Sequence, residues 1–295
     1  MVKKSQDYIR YLSADRLEDL ANLPPLRTLL HIIKTDPEQR YQLEIRQNRI
    51  TVYYNGGKLS NFKKGKNGKY TTDFDLKYCD NQDKESVNRN TIISIGNKDI
   101  NSFVNNIKTY TDEMDAWFLK HPKAERANQQ IICKKFRAPN EHLWLLDIEF
   151  VIENSRFDML GVDNDGNVKL IELKVGNDAL SSRPKSGSEK LESGLYKHYL
   201  DFLRVQQNEK WCKAVIESAK NNISIRKELG LPTFKGRLNT SLQSIQFEIW
   251  LADYSHKGTI LSRELVAIKD AGGTDNIIKI NPDYLSDIRK KISII

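Results

Sequence analysis

The chain has little of what builds a disulfide scaffold, a membrane span or a secreted precursor. Its three cysteines, Cys79, Cys133 and Cys212, are odd in number and widely separated, which argues against a disulfide framework and matches no metal-ligand spacing. No run approaches the roughly 18 apolar residues of a membrane span, and the N-terminal MVKKSQDYIRYLS lacks the apolar core of a signal peptide. These absences predict a reducing, cytoplasmic setting and no membrane partner. The five histidines, His31, His121, His142, His198 and His256, show no zinc-ligand spacing, and neither a Gly-x-Ser-x-Gly turn nor a phosphate-binding glycine loop occurs.

What is present is a core under a very polar surface: 39% of residues are hydrophobic, yet mean hydropathy is -0.60. Forty-seven Lys and Arg outweigh 39 Asp and Glu for a net charge of +8. That balance favours a polyanionic partner through long-range attraction. At 295 residues a smaller N-terminal module ahead of a main domain is expected. Residues 1–35 read as two helices interrupted at Pro24-Pro25, since proline is harmless only in a helix's first turn. The period then becomes two over Tyr41-Leu43-Ile45, Ile50-Val52-Tyr54, Leu59 to Phe62 and Tyr70 to Tyr78, a β-meander of about four strands. Its lysine-rich tip, KKGKNGK at 63–69, reads either as a contact to a nucleic-acid backbone or as a solvated, edge-protecting loop. The module spans 1–96. Phe103, Ile107, Tyr110, Met114 and Trp117 make one stripe of a linker helix at 97–122.

The main domain is placed at 123–295. It reads as a helix at 123–136, a strand within 143–152, two further strands, a mobile loop at 177–193, two helices (195–205 and 209–229), strands at 245–254 and 263–268, and a closing helix at 282–292. Such an order predicts an α/β (α+β) fold, a mixed central sheet flanked by helices. The chemistry gathers at 156–175, RFDMLGVDNDGNVKLIELKV. Asn164-Asp165-Gly166 tolerate the backbone angles of a tight turn, so the apolar runs on either side form a hairpin. Asp163, Asp165 and Asn167 begin like a calcium loop, but Val168 stands where that loop needs glycine. Alternate strand residues share a face, so Glu172 and Lys174 point one way while Ile171 and Leu173 enter the core. Asp158 lies on the first strand. Two carboxylates beside a lysine suit a hard cation that takes oxygen ligands and keeps several waters, with the amine holding a nucleophile.

Asp158, a strand-length interval and then Glu172-Leu173-Lys174 resembles the PD-(D/E)xK nuclease superfamily. The Arg-Phe-Asp-apolar-apolar-Gly run and the apolar approach to Glu-Leu-Lys resemble its stand-alone and RecB-like members. The resemblance spans about 123–268 and implies a restriction-endonuclease-like core that hydrolyses phosphodiester bonds with Mg²⁺ or Mn²⁺. Asp158 and Glu172 match the two acids, Lys174 the lysine, and the Leu173 carbonyl a backbone metal ligand. For the acid that the family often adds, Glu125 and Glu149 are both candidates. Phe157 stands where the motif's name has proline. Where RecB-like members carry Gln and Tyr on the following helix, this chain has Lys197, His198 and Tyr199. Candidate phosphate contacts are Lys197 and His198, Arg183 and Lys185 in the 177–193 loop, and Lys63 and Lys64 at the meander tip. DNA is the expected partner, with restriction or phage defence as the setting. A homodimer is compatible, because cutting both strands of a duplex often needs two active sites. The alternative is a catalytically silent nucleic-acid-binding or scaffold protein on the same fold.

Overall fold

The computed structural model describes residues 8–79, 92–95, 100–122, 124–137, 143–176, 180–184, 191–252, 259–274 and 277–280, without the side chains of 92–95, 124–127, 183–184, 192 and 278–280. The chain divides into two compact units. One comprises Ile9–Gln130 with Asn221–Pro232; the other comprises Met1–Tyr8, Ile131–Lys220 and Thr233–Ile295.

In the first unit α1 (Ala14–Asn22) and α2 (Pro24–Thr35) meet at the expected proline pair, which occupies the first positions of α2. Strands β1 (Tyr41–Ile45), β2 (Ile50–Tyr54), β3 (Gly57–Lys64), β4 (Tyr70–Asp75) and β5 (Ile92–Ile95) form a sheet in chain order, each antiparallel to the next. The meander therefore gains a fifth strand. Asn55 and Gly56, at φ 44° and 77°, make the two-residue turn that pairs Tyr54 with Gly57. The stripe at 100–117 folds as α3 (Ile100–Asn105) and α4 (Ile107–Lys120). These helices do not serve as a linker. Phe103, Val104, Ile107 and Met114 are buried in one core with Leu26, Leu29, Val52, Phe62 and Phe74, because an apolar stripe this wide needs a sheet face to cover.

The second unit carries β6 (Leu143–Ile152), β7 (Ser155–Asp163), β8 (Val168–Val175), the short pair β9 (Arg183–Pro184) and β10 (Leu191–Ser193), then α6 (Leu195–Gln206), β11 (Gln246–Ala252), α8 (Thr259–Asp270) and β12 (Ile278–Ile280). Two further helices, α5 (Ala124–Lys135) and α7 (Glu209–Glu228), follow the expected spans. The sheet order is β12-β11-β8-β7-β6. β6, β7 and β8 pair antiparallel, whereas β11 runs parallel to β8 and to β12. This is the mixed α+β architecture that the sequence predicts. As the central strand, β8 is buried from Val168 to Leu173.

The expected strand at 263–268 is instead part of α8, whose buried residues Leu261, Glu264 and Ile268 recur at three and four. An acid at the middle core position broke the apolar stripe that would have marked the helix. The expected closing helix at 282–292 lies outside the described residues. Among the described residues no helix is long and apolar enough to cross a membrane.

Candidate active site

Pairing between β7 and β8 runs from Val162↔Val168 to Met159↔Ile171. Beyond Ile171, β8 continues beside β11, with Ile249, Trp250 and Leu251 opposite Glu172, Leu173 and Lys174. On the side that β7 has left, a side chain takes the partner's place: the Leu173 N–H donates to Asp158 Oδ2 at 2.7 Å. A strand residue directs its N–H and C=O toward the same neighbour. The Leu173 carbonyl therefore faces the same side as Asp158.

Glu172 is 3% exposed. Its Oε1 accepts from Lys174 Nζ at 2.6 Å and lies 2.9 Å from His198 Nε2 on α6; that nitrogen is 3.2 Å from Lys174 Nζ. The other oxygen, Oε2, is buried with no hydrogen-bond partner among the described residues, a costly state for a carboxylate in protein interior. Burial pushes the Glu172 carboxyl upward, but the hydrogen bond and charge of His198, followed by Lys174, outweigh it and hold the group below its ordinary value.

Helix α6 is held in place by a residue of α8. Its N-cap, Gly194, has φ 98° and no side chain to cap with; a Cβ there would lie 2.2 Å from the Ser182 nitrogen. The buried Glu264 carboxylate supplies the missing acceptors, taking the N–H of Ser182 at 2.8 Å and of Tyr196 at 3.1 Å, together with the Ser182 hydroxyl. Ser182 Oγ in turn accepts from the Lys197 N–H at 3.3 Å. Two first-turn donors of α6 are thereby satisfied from outside the helix. One turn on, the buried Asp201 pairs with Lys197, lies 3.5 Å from Arg204 Nη1 and sits 4.0 Å from His198 Nδ1.

Comparison with family models, with curated proteins and with solved structures finds no match. The geometry of the site is therefore what speaks for its chemistry. Among the described residues no group of three His, Cys, Asp or Glu side chains is arranged to hold a metal ion. Asp158, Glu172 and the Leu173 carbonyl make a smaller donor set, all oxygen, of the kind that suits a hard cation retaining waters. The partnerless Glu172 Oε2 is the observation that fits such a cation.

The structure brings Glu172, Lys174 and His198 together and sets Asp158 against the strand between them. Glu149 is turned to Arg156 at 2.7 Å, with its backbone at φ 52°. The pairs Ile148↔Met159 and Phe150↔Phe157 bracket it opposite Asp158. The side chain of Glu125, on α5, lies outside the described residues, as do the Arg183 side chain and Lys185. Lys197, expected at phosphate, is paired with Asp201. Lys64 is likewise engaged, at 2.5 Å from Asp19 and 3.2 Å from Asp15, whereas Lys63 is exposed. The sequence reading missed Asp201 and Glu264. An i, i+4 relation to Lys197 marks Asp201 in the sequence; nothing local marks Glu264.

Proposed function

We propose that the chain is a metal-dependent nuclease that hydrolyses phosphodiester bonds, with DNA as its substrate. The observation that carries the reading is the buried Glu172 carboxylate, with one oxygen bound by Lys174 and His198 and the other without a partner among the described residues. The resemblance of Asp158 and Glu172-Leu173-Lys174 to the PD-(D/E)xK superfamily supports it.

On this reading Asp158, Glu172 and the Leu173 carbonyl would hold Mg²⁺ or Mn²⁺. The cation, when bound, supplies neutralisation of phosphoryl charge and a lowered pKa for water. Lys174 stands within hydrogen-bond reach of Glu172, where its ammonium positions the attacking water and offsets charge developing on the phosphate. His198 fixes the Glu172 oxygen that Lys174 shares, so that neither side chain swings away. The Leu173 N–H orients Asp158 through the 2.7 Å bond. Restriction or defence is the setting this chemistry suits.

Supercoiled plasmid and single-stranded substrates, incubated with Mg²⁺, Mn²⁺ or EDTA, test the proposal. Cleavage with either metal should fall by roughly 10²-fold or more in Lys174→Ala and in Asp158→Ala, the scale on which a transition-state charge partner is felt. Cleavage that survives EDTA, or survives Lys174→Ala, overturns the mechanism. Binding without cleavage of any substrate would instead establish the catalytically silent alternative.

A further inference from the structure

A cavity of about 840 Å³ is lined in part by Asp201, whose carboxylate lies 4.0 Å from His198 Nδ1. One wall is a ridge of α6, with Tyr196, Leu200 and Arg204 at i, i+4 and i+8. Trp211, in the first turn of α7, faces the same space. Tyr196, Leu200 and Trp211 are half-buried, so apolar surface lines the cavity without closing it. Both rings stand on fixed backbone: the Tyr196 N–H is held by Glu264 at 3.1 Å, and the Trp211 N–H by the Asn208 carbonyl at 2.9 Å.

The polar lining is ordered. Lys197 compensates the buried Asp201. Arg204 touches Asp201 with one nitrogen at 3.5 Å while its side chain is 50% exposed, which leaves guanidinium donors directed to solvent. The acid at the rim, Glu153, is occupied by Asn154, whose backbone and side-chain N–H groups donate to its two oxygens at 3.0 and 2.7 Å. Asp201 lies 4.0 Å from His198 Nδ1, on the ring whose Nε2 stands 2.9 Å from Glu172.

We infer that this cavity binds an unstacked base of a single-stranded nucleic acid, with Trp211 and Tyr196 taking the base faces and Arg204 the adjoining phosphate. Aromatic faces beside a cation are what a single strand offers itself to, and a paired base inside a duplex presents no free face to them. The inference rests on the nuclease reading for the nature of the ligand. It deepens that reading by assigning a single-stranded segment, DNA or RNA, to the ground beside the cut.

The test is fluorescence anisotropy of labelled 12-nucleotide DNA and RNA single strands, and of the matching DNA duplex, on the full chain in EDTA. Trp211→Ala should weaken single-strand binding by roughly 5- to 150-fold, the loss of one base stack, and leave the duplex unaffected. Trp211→Phe should restore most of the affinity. Arg204→Gln, at a half-exposed position, should weaken both single strands and carries the test if Trp211→Ala fails to fold by circular dichroism. The DNA and RNA arms tell which sugar the segment carries. Single-strand affinity unchanged in a folded Trp211→Ala, unchanged in Arg204→Gln where Trp211→Ala does not fold, or absent from the wild type, overturns the inference. If strands bind through Trp211 but no metal supports cleavage, the cavity stands and the nuclease reading falls. If cleavage requires Lys174 but Trp211→Ala binds as the wild type does, the cavity falls and the nuclease reading stands.

Discussion

The two oxygens of Glu172 keep unequal company, and that inequality has a thermodynamic signature in the metal-free protein. A carboxyl whose folded value is depressed contributes stability that is complete above its unfolded value, about 4.3 for glutamate. The contribution is lost as pH falls through the lower folded value. Urea midpoints taken in EDTA between about pH 3 and pH 7 should therefore drop more steeply on the acid side for the wild type than for Glu172→Gln. Equal acid slopes would mean that Lys174 and His198 do not stabilise the ionised form. That Asp158, Glu172 and Lys174 gather at one end of the hairpin was legible in the sequence because their geometry is local. Two positions on one strand share a face whatever surrounds them, and a turn signal fixes where the partner strand returns. Glu264 was not, because its partners, the N–H groups of Ser182 and Tyr196, are brought close by tertiary packing; Asp201, whose partners lie on its own helix, was marked by nothing beyond its i, i+4 relation to Lys197.

At the scale of elements, two glycines set the site's framework. Gly166 turns β7 into β8 at φ 83°, and a Cβ there would lie 2.1 Å from the Arg237 carbonyl oxygen. Asp163 completes the turn by accepting the N–H groups of Asp165 at 3.1 Å and Asn167 at 2.8 Å, so its carboxylate is turn structure, as the Val168 position implied. Gly166→Ala should cost roughly 2–5 kcal/mol, the left-handed penalty added to overpacking, read as a shift of the urea midpoint. Gly194→Ala acts elsewhere. It should displace the first turn of α6, and with it His198, reducing cleavage by more than its effect on the midpoint would explain. A parallel loss in both measurements would reduce Gly194 to a folding residue. Strands β6 to β8 were readable from β-branched runs and turn residues. Helix α8 was not, since a buried glutamate occupies the core position where an apolar residue would have revealed the period. Strands β5 and β12, four and three residues long, are too short to carry a period at all.

At the scale of the whole molecule, the N-terminal unit has a core of its own. Phe103 is fully buried there, stacked on Tyr110 at 4.6 Å and edge-on to Phe62 at 5.8 Å. Phe103→Ala should destabilise that unit by about 3–5 kcal/mol, measured as lost hydrogen-exchange protection in β1 to β4. Undiminished protection would show that the helices add little to the meander. The same core takes Ile225, Leu229 and Leu231 from far along the chain, and Arg226 ties that segment to the Leu43 carbonyl at 3.0 Å. A ribosome making this protein completes Gln130 long before it reaches Pro232. At roughly 5–20 residues per second the wait is on the order of 5–20 s, during which the first half of the chain holds an apolar face with nothing to cover it. A fragment ending at Gln130 should aggregate, and adding a peptide of residues 221–232 should rescue its solubility. The nascent chain thus has a defined interval in which a chaperone has something to hold.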